Sequence, residues 1–197
     1  DLFLLASVAQ FAAGEVIERP ASVVKELIEN SLDAGATTII VETRSGGINM
    51  IKVIDDGIGI RSNEVELAFS RHATSKLDTL EELERLTTLG FRGEALPSMA
   101  TVADVEIVTR IEGEDVGTYL RLINGSVDFR EGRSRTRGTT ITVHNLFRHF
   151  PARLKFLKSL ATESGHIANL VTQYALAYPE MKFNLVIDGR RNILTSG

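Results

Sequence analysis

One stretch limits the folds open to this chain: Pro20-Ala-Ser-Val-Val-Lys-Glu-Leu-Ile-Glu-Asn-Ser-Leu-Asp-Ala-Gly35. Pro20 suits the first turn of a helix, where an N–H has no partner to lose, and Gly35 suits the residue just past the end. At about 100° per residue, Val24, Leu27, Ile28 and Leu32 share one face, with Glu26, Asn30 and Asp33 opposite. A helix with a single apolar stripe has to lie on another layer. Glu26 and Asn30 stand one turn apart and can converge on one object. A carboxylate can take a proton from water, and an amide oxygen is a neutral ligand suited to Mg²⁺. Most amphipathic helices carry such residues only as a solvated face, so the rest of the chain has to separate the two readings.

The patterns on either side describe the layer. Thr38 to Thr43 and Asn49 to Asp55 are strand-like, with Ser45-Gly46-Gly47 between them. Helices are expected over Ser7-capped residues 8 to 13, Ser62 to Phe69 with Ser62 as cap, Thr79 to Leu86, and Glu94 to Ala100. Pro97 is tolerable only in the first turn of the last of these. From Val102 onward strands dominate: Asp104 to Arg110, Gly117 to Ile123, Val127 to Arg130 and Thr139 to His144. Asn124-Gly125 and Asp188-Gly189 are strong hairpin signals, the second between Phe183 to Ile187 and Asn192 to Thr195. Ala152 to Leu160 and Ser164 to Tyr178 read as helices. Regular βαβ alternation is missing. The order favours an α+β fold, a mixed and largely antiparallel sheet covered on one face by helices.

Composition narrows the chemistry. With 197 residues, 43% hydrophobic and 24% charged, the chain is long enough for one good core. It has no cysteine, which removes disulfides, thiolate zinc sites and thiol catalysis. No apolar run is long enough to span a membrane and no secretion leader is evident, so a cytoplasmic, bacterial-cytosol location is expected. The net charge of -4 weighs against a dedicated nucleic-acid module. Arg130, Arg133, Arg135 and Arg137 read as a solvated loop, and Arg148, Arg153, Lys155 and Lys158 form a second basic cluster. The chain opens on Asp1 and closes on Thr-Ser-Gly, which suggests a piece of something longer.

The usual phosphate loop, the dinucleotide fingerprint, the His-Glu-x-x-His zinc motif and the Gly-x-Ser-x-Gly elbow are all absent. A different nucleotide site is present in pieces. Asp55 ends a buried-looking strand, where it can accept from an exocyclic amine such as adenine's. Gly57 and Gly59 would let a flat base lie against bare backbone. An ordinary acidic turn would look the same. Gly90-Phe-Arg-Gly93 opening into Glu94, Ala95 and Leu96 presents free N–H groups and a positive helix end to phosphate, with Arg92 adding charge. Thr74, Ser75 and Lys76 lie in an unpatterned stretch that could close as a lid or be plain surface. Thr139 heads a strand and could reach the base.

Together these residues resemble a known family. Ala12 to Ala36, Asp55-Asp-Gly-Ile-Gly59, Arg71-His-Ala-Thr-Ser-Lys76, Gly90-Phe-Arg-Gly-Glu-Ala-Leu96 and Pro151-Ala-Arg-Leu-Lys-Phe-Leu157 follow, in order, the signature of the MutL DNA mismatch repair family. That family belongs to the GHKL (Bergerat-type) ATPases, with gyrase B, heat-shock chaperones and histidine kinases. The resemblance implies an α/β sandwich and a Mg²⁺-dependent ATPase. It implies Glu26 as general base, Asn30 as the Mg²⁺ ligand, and Asp55 on the adenine amino group with Gly57 and Gly59 beside the base. Thr74, Ser75 and Lys76 would belong to the ATP lid. Gly90 and Arg92 to Leu96 would bind phosphates, and Thr139 would support adenine.

The resemblance further implies an ATP-driven dimer with another MutL-type subunit, a MutS-type mismatch sensor as partner, and weak contact with DNA. Residues 1–197 would be one ATPase domain, without the second, transducer-like domain and the C-terminal region of the family. Four places depart from its pattern: Phe11 for the usual Ile, Pro97 inside the phosphate-binding helix, His149-Phe150 for Asn-Thr, and the opening Asp1-Leu-Phe-Leu. Two other readings remain at this level. One is a nucleotide-independent DNA or protein interaction domain built on the arginine clusters. The other is a gyrase-like or chaperone-like ATPase of the same fold.

Overall fold

The helix expected at the outset forms and is closed at both ends by local chemistry. In the computed structural model, which describes residues 17–70 and 94–197, α1 spans Pro20–Asp33 with Pro20 in its first turn. Gly35 (φ 66°) stands just past the end, its N–H donating to Leu32 O at 2.9 Å, while Ala36 N–H donates to Ser31 O at 3.1 Å. This left-handed termination satisfies the last carbonyls of the helix and favours glycine at that position. Val23, Val24, Leu27, Ile28 and Ser31 are buried and Leu32 only partly so. The buried stripe is therefore turned slightly towards Val23 from its expected centre.

The layer under α1 is an eight-stranded sheet in the order β5-β4-β3-β6-β2-β1-β7-β8. Its strands are β1 (Thr38–Arg44), β2 (Met50–Asp55), β3 (Asp104–Arg110), β4 (Gly117–Ile123), β5 (Ser126–Arg133), β6 (Gly138–His144), β7 (Lys182–Ile187) and β8 (Arg190–Leu194). Among the described residues only the β1–β7 pair is parallel; every other neighbour pair is antiparallel. Both Xaa-Gly turns make hairpins, with positive φ at Asn124, Gly125, Asp188 and Gly189. Two consecutive left-handed residues match the twist of the strands they join.

Alternation along the strands divides the sheet into two faces. Ile39, Val41, Ile51, Val53, Val105, Ile107, Ile141, Val143, Phe183 and Leu185 point into one core. That core lies under α1, α2 (Ala95–Val102) and α4 (Leu160–Ala177); a short α3 spans Pro151–Phe156. The opposite face carries Lys52, Glu106, Thr140, Thr142 and His144, all half-buried.

Several expected boundaries move for physical reasons. Ser62 caps no helix: residues 62–66 form a continuous run of turn and Leu67–Phe69 closes a 3₁₀ turn. The single helix expected over Ala152 to Leu160 ends at Phe156, because Leu157 is extended. Ser159 then starts α4, its Oγ accepting from Thr162 N at 3.1 Å. The arginine cluster is not a loop throughout, since Arg130 and Arg133 lie on β5 and Arg135 is half-buried. Pro97 takes the third position of α2, where no intrahelical bond is lost. The helices expected over residues 8–13 and 79–86 lie outside the described residues.

Candidate functional site

The ends of β2 and β6 meet under the C-terminal half of α1, with Asp55 and Thr139 as register partners. Asp55 is the last residue of an inward-pointing series, Ile51, Val53, Asp55, so the alternation that buries two apolar side chains also buries a carboxylate. A buried carboxylate needs donors. Ser31 Oγ donates to its Oδ2 at 2.8 Å, and the N–H groups of Gly57 and Thr139 donate to Oδ1 at 2.9 and 3.3 Å. Burial raises the Asp55 carboxyl above its ordinary value; Ser31, Gly57, the Arg135 charge and Thr139 pull it back in part.

The carboxylate looks into a cleft lined by Leu27, Asn30, Ser31, Ala34, Val53, Gly59, Ile60, Leu96, Thr139 and Ile141. Its empty space, open mouth included, is about 460 Å³. The walls are mostly aliphatic, and Ser31 and Thr139 gather at the Asp55 end. Such a site fits a planar, partly apolar ligand with hydrogen-bonding groups on one edge.

The loop that closes the cleft explains its glycines. Gly59 has φ 80°, and a Cβ there would lie 2.1 Å from Arg110 O. A Cβ on Gly57 would meet Ala34 Cβ at 2.8 Å. Gly59 lines the cleft, whereas Gly57 packs beneath Ala34 and serves through its N–H on Asp55. The next residue along from Gly59, Ile60, donates its N–H to Thr109 Oγ1 at 2.9 Å. That fully buried hydroxyl also pairs with Thr139 Oγ1 at 2.9 Å and reaches Gly138 O at 3.2 Å. Its one proton can go to either, so the Thr139 hydroxyl can act as donor or acceptor towards the cleft.

Asn30 lines the cleft and Glu26 is half-buried one turn before it on α1. Beside them Glu29 Oε1 accepts from the Tyr174 hydroxyl at 2.8 Å, which ties α1 to α4. Burial and then the Glu29 carboxylate raise the Tyr174 hydroxyl, so it stays a donor at neutral pH. Leu96 is a buried wall residue, Ala95 is half-buried, and Glu94 is exposed at the start of α2. Thr74, Ser75, Lys76, Gly90, Arg92 and Gly93 lie outside the described residues.

Three participants were not anticipated: Ser31, Thr109 and Arg135. Two of them had a signal. Ser31 sits one turn after Leu27 on the apolar stripe, and Thr109 ends the inward series Val105, Ile107; a hydroxyl in a buried series asks for a partner. Arg135 had none.

The family model for histidine kinase-, DNA gyrase B-, and HSP90-like ATPases matches residues 17–141, which include Glu26, Asn30, Asp55, Gly59 and Thr139. The chain belongs to that family. Within the ATPase family its relatives are MutL proteins. The DNA mismatch repair protein MutL of Shouchella clausii is 48% identical over 188 residues, covering 95% of this chain and 28% of that protein. The MutL of Methanothrix thermoacetophila is 53% identical over 191 residues, covering 96% of this chain and 34% of its own length. The chain thus spans only 28% and 34% of these two relatives. The Aquifex aeolicus MutL ATPase domain complexed with ADP matches with a TM-score of 0.76 at 32% identity, over 92% of this chain and 65% of that one. The chain is therefore a MutL-family ATPase region with the fold of its relatives. Among the described residues no helix is long and apolar enough to cross a membrane.

Proposed function

We propose that the chain is the ATP-binding, slowly hydrolysing switch of a MutL-type mismatch repair protein. The observation that carries this reading is the buried Asp55 carboxylate at the polar end of an otherwise aliphatic cleft. Adenine lies between Leu27, Val53, Ile60, Leu96 and Ile141, its exocyclic amine donating to Asp55 and a ring nitrogen meeting Thr139. The phosphates run out past Asn30 towards Glu94, Ala95 and Leu96. The same proposal assigns phosphate binding to Gly90, Arg92 and Gly93 and an ATP lid to Thr74, Ser75 and Lys76.

Glu26 takes a proton from water as the water oxygen bonds to the γ-phosphorus. The bond from that phosphorus to the bridging oxygen breaks, leaving ADP and inorganic phosphate. The neutral amide of Asn30 at the cleft wall would hold a Mg²⁺ brought with the nucleotide. When bound, the ion neutralises phosphate charge.

Closure around ATP favours a dimer with a second MutL-type subunit, and hydrolysis releases it. A MutS-type sensor and DNA are the further partners, DNA weakly through these residues. Cytoplasmic action and a single ATPase domain over residues 1–197 belong to the same proposal. Titration with fluorescently labelled ATP, with and without Mg²⁺, tests it. Saturable binding that strengthens with Mg²⁺ is expected. Failure to bind adenine nucleotide under either condition overturns it.

A further inference from the structure

Asp55 has an anchor on the far side of the sheet. Arg135 approaches the open face just before β6, and its Nη2 donates to the Asp55 main-chain oxygen at 3.2 Å and to Thr140 Oγ1 at 2.9 Å. Its Nη1 donates to Thr136 O at 3.3 Å. One guanidinium therefore joins the last residue of β2 to the outward side of β6. The main chain makes room for it: Gly138 has φ 122°, and a Cβ there would lie 2.2 Å from Asp55 O and 3.0 Å from Arg135 Nη1. The rest of Arg135 lines an open-face pocket with Lys52, Glu106, Tyr119 and Arg133.

Resting on the nucleotide reading above, we infer that Arg135 is a positioning residue of the ATP site, holding the Asp55 main chain from the opposite face and placing a positive charge behind its carboxylate. Among the described residues, the other groups that meet the carboxylate are neutral dipoles: Ser31 from α1, Gly57 from the loop and Thr139 from β6. The neighbouring charges are Asp56 and Arg137, whose Nη2 donates to Asp56 O at 3.3 Å. Arg135 thus favours the ionised form of a group that burial pushes towards neutrality. Only the ionised form accepts from adenine with either oxygen.

The test measures ATP affinity from pH 5 to 8 for wild type, Arg135→Met and Arg135→Lys, with thermal unfolding as the check on folding. Arg135→Met is expected to lose roughly tenfold in affinity and to move the acid limb of binding upward by about one pH unit. Arg135→Lys keeps a charge but not the planar fork, so the limb should return towards wild type while part of the affinity loss remains. A role confined to fold stability would lower affinity without moving the limb. Should Arg135→Met not fold, Thr140→Val decides, since it removes the side-chain anchor and keeps the charge. A severalfold loss of affinity is expected there, and unchanged affinity overturns the inference. A folded Arg135→Met with wild-type affinity and limb also overturns it, leaving the nucleotide reading intact. Wild type that binds no ATP overturns that reading instead.

Discussion

Asp55 has two conflicting tasks. Recognition of an amine needs it ionised, while burial favours its neutral form. The sign for stability follows: an acid whose value is raised by folding costs stability above its unfolded value, and acidification relieves that cost. Asparagine removes the charge and keeps the shape. Its oxygen can still accept from Gly57 and Thr139, and Ser31 can turn its hydroxyl to Leu27 O, already 3.0 Å away, and accept from the new amide. Asp55→Asn should therefore leave the unfolding temperature unchanged or a few degrees higher while weakening ATP binding at least tenfold, about 1.4 kcal/mol. Unfolding scans beside ATP titration check it, and a variant that loses stability but keeps affinity contradicts it. Glu26 should behave in the opposite way. Glu26→Ala is expected to lower turnover by about 100-fold or more with ATP affinity within a factor of about two. Phosphate release at wild-type rate in that variant removes Glu26 as the base.

At the scale of elements, the site depends on how α1 is joined to the sheet. Asp56 forms the joint: its carboxylate accepts from Thr37 N and Thr38 N at 2.8 and 2.9 Å and from Thr37 Oγ1 at 2.6 Å. This fastens the turn after α1 to the end of β2, next to Asp55. Partial burial raises the Asp56 carboxyl, but the Thr37 and Thr38 donors outweigh it and the net shift is downward. Stability from this joint is thus present above the ordinary carboxylate value and lost as pH falls through the lowered one. Asp56→Ala should destabilise by about 1–2 kcal/mol at pH 7, and the gap from wild type should close in acid. Chemical denaturation at both pH values measures it; a gap independent of pH excludes the charged joint. The hairpins, the Pro20 start and the Gly35 stop were legible beforehand because each is a contact within a few residues. The break at Leu157 was not, although Ser159 is a cap. The run Arg153 to Leu160 is helix-compatible throughout, and Glu163, fully buried in α4, accepts from Lys158 N at 2.9 Å and fixes the break.

At the scale of the molecule, nucleotide and fold should stabilise one another. ATP at about 100 times its dissociation constant contributes about 2.7 kcal/mol, or roughly 5–10 °C in unfolding temperature for a chain of this size. That shift should vanish in Asp55→Ala, and a shift that persists there places the nucleotide elsewhere. Before any coordinates, the sequence determined the sheet-and-helix class, the hairpins, the stacking of Glu26 over Asn30 and the family, because these depend on period, turn chemistry and motif spacing. Only the tertiary structure decided what surrounds Asp55. Ser31 bonds it across 24 positions, Thr109 holds the closing loop across 49, and Arg135 reaches its carbonyl across 80. Local pattern carries no trace of which distant donor will face a buried acid. Strand register sets that, and register is settled only when the whole sheet packs against its helices.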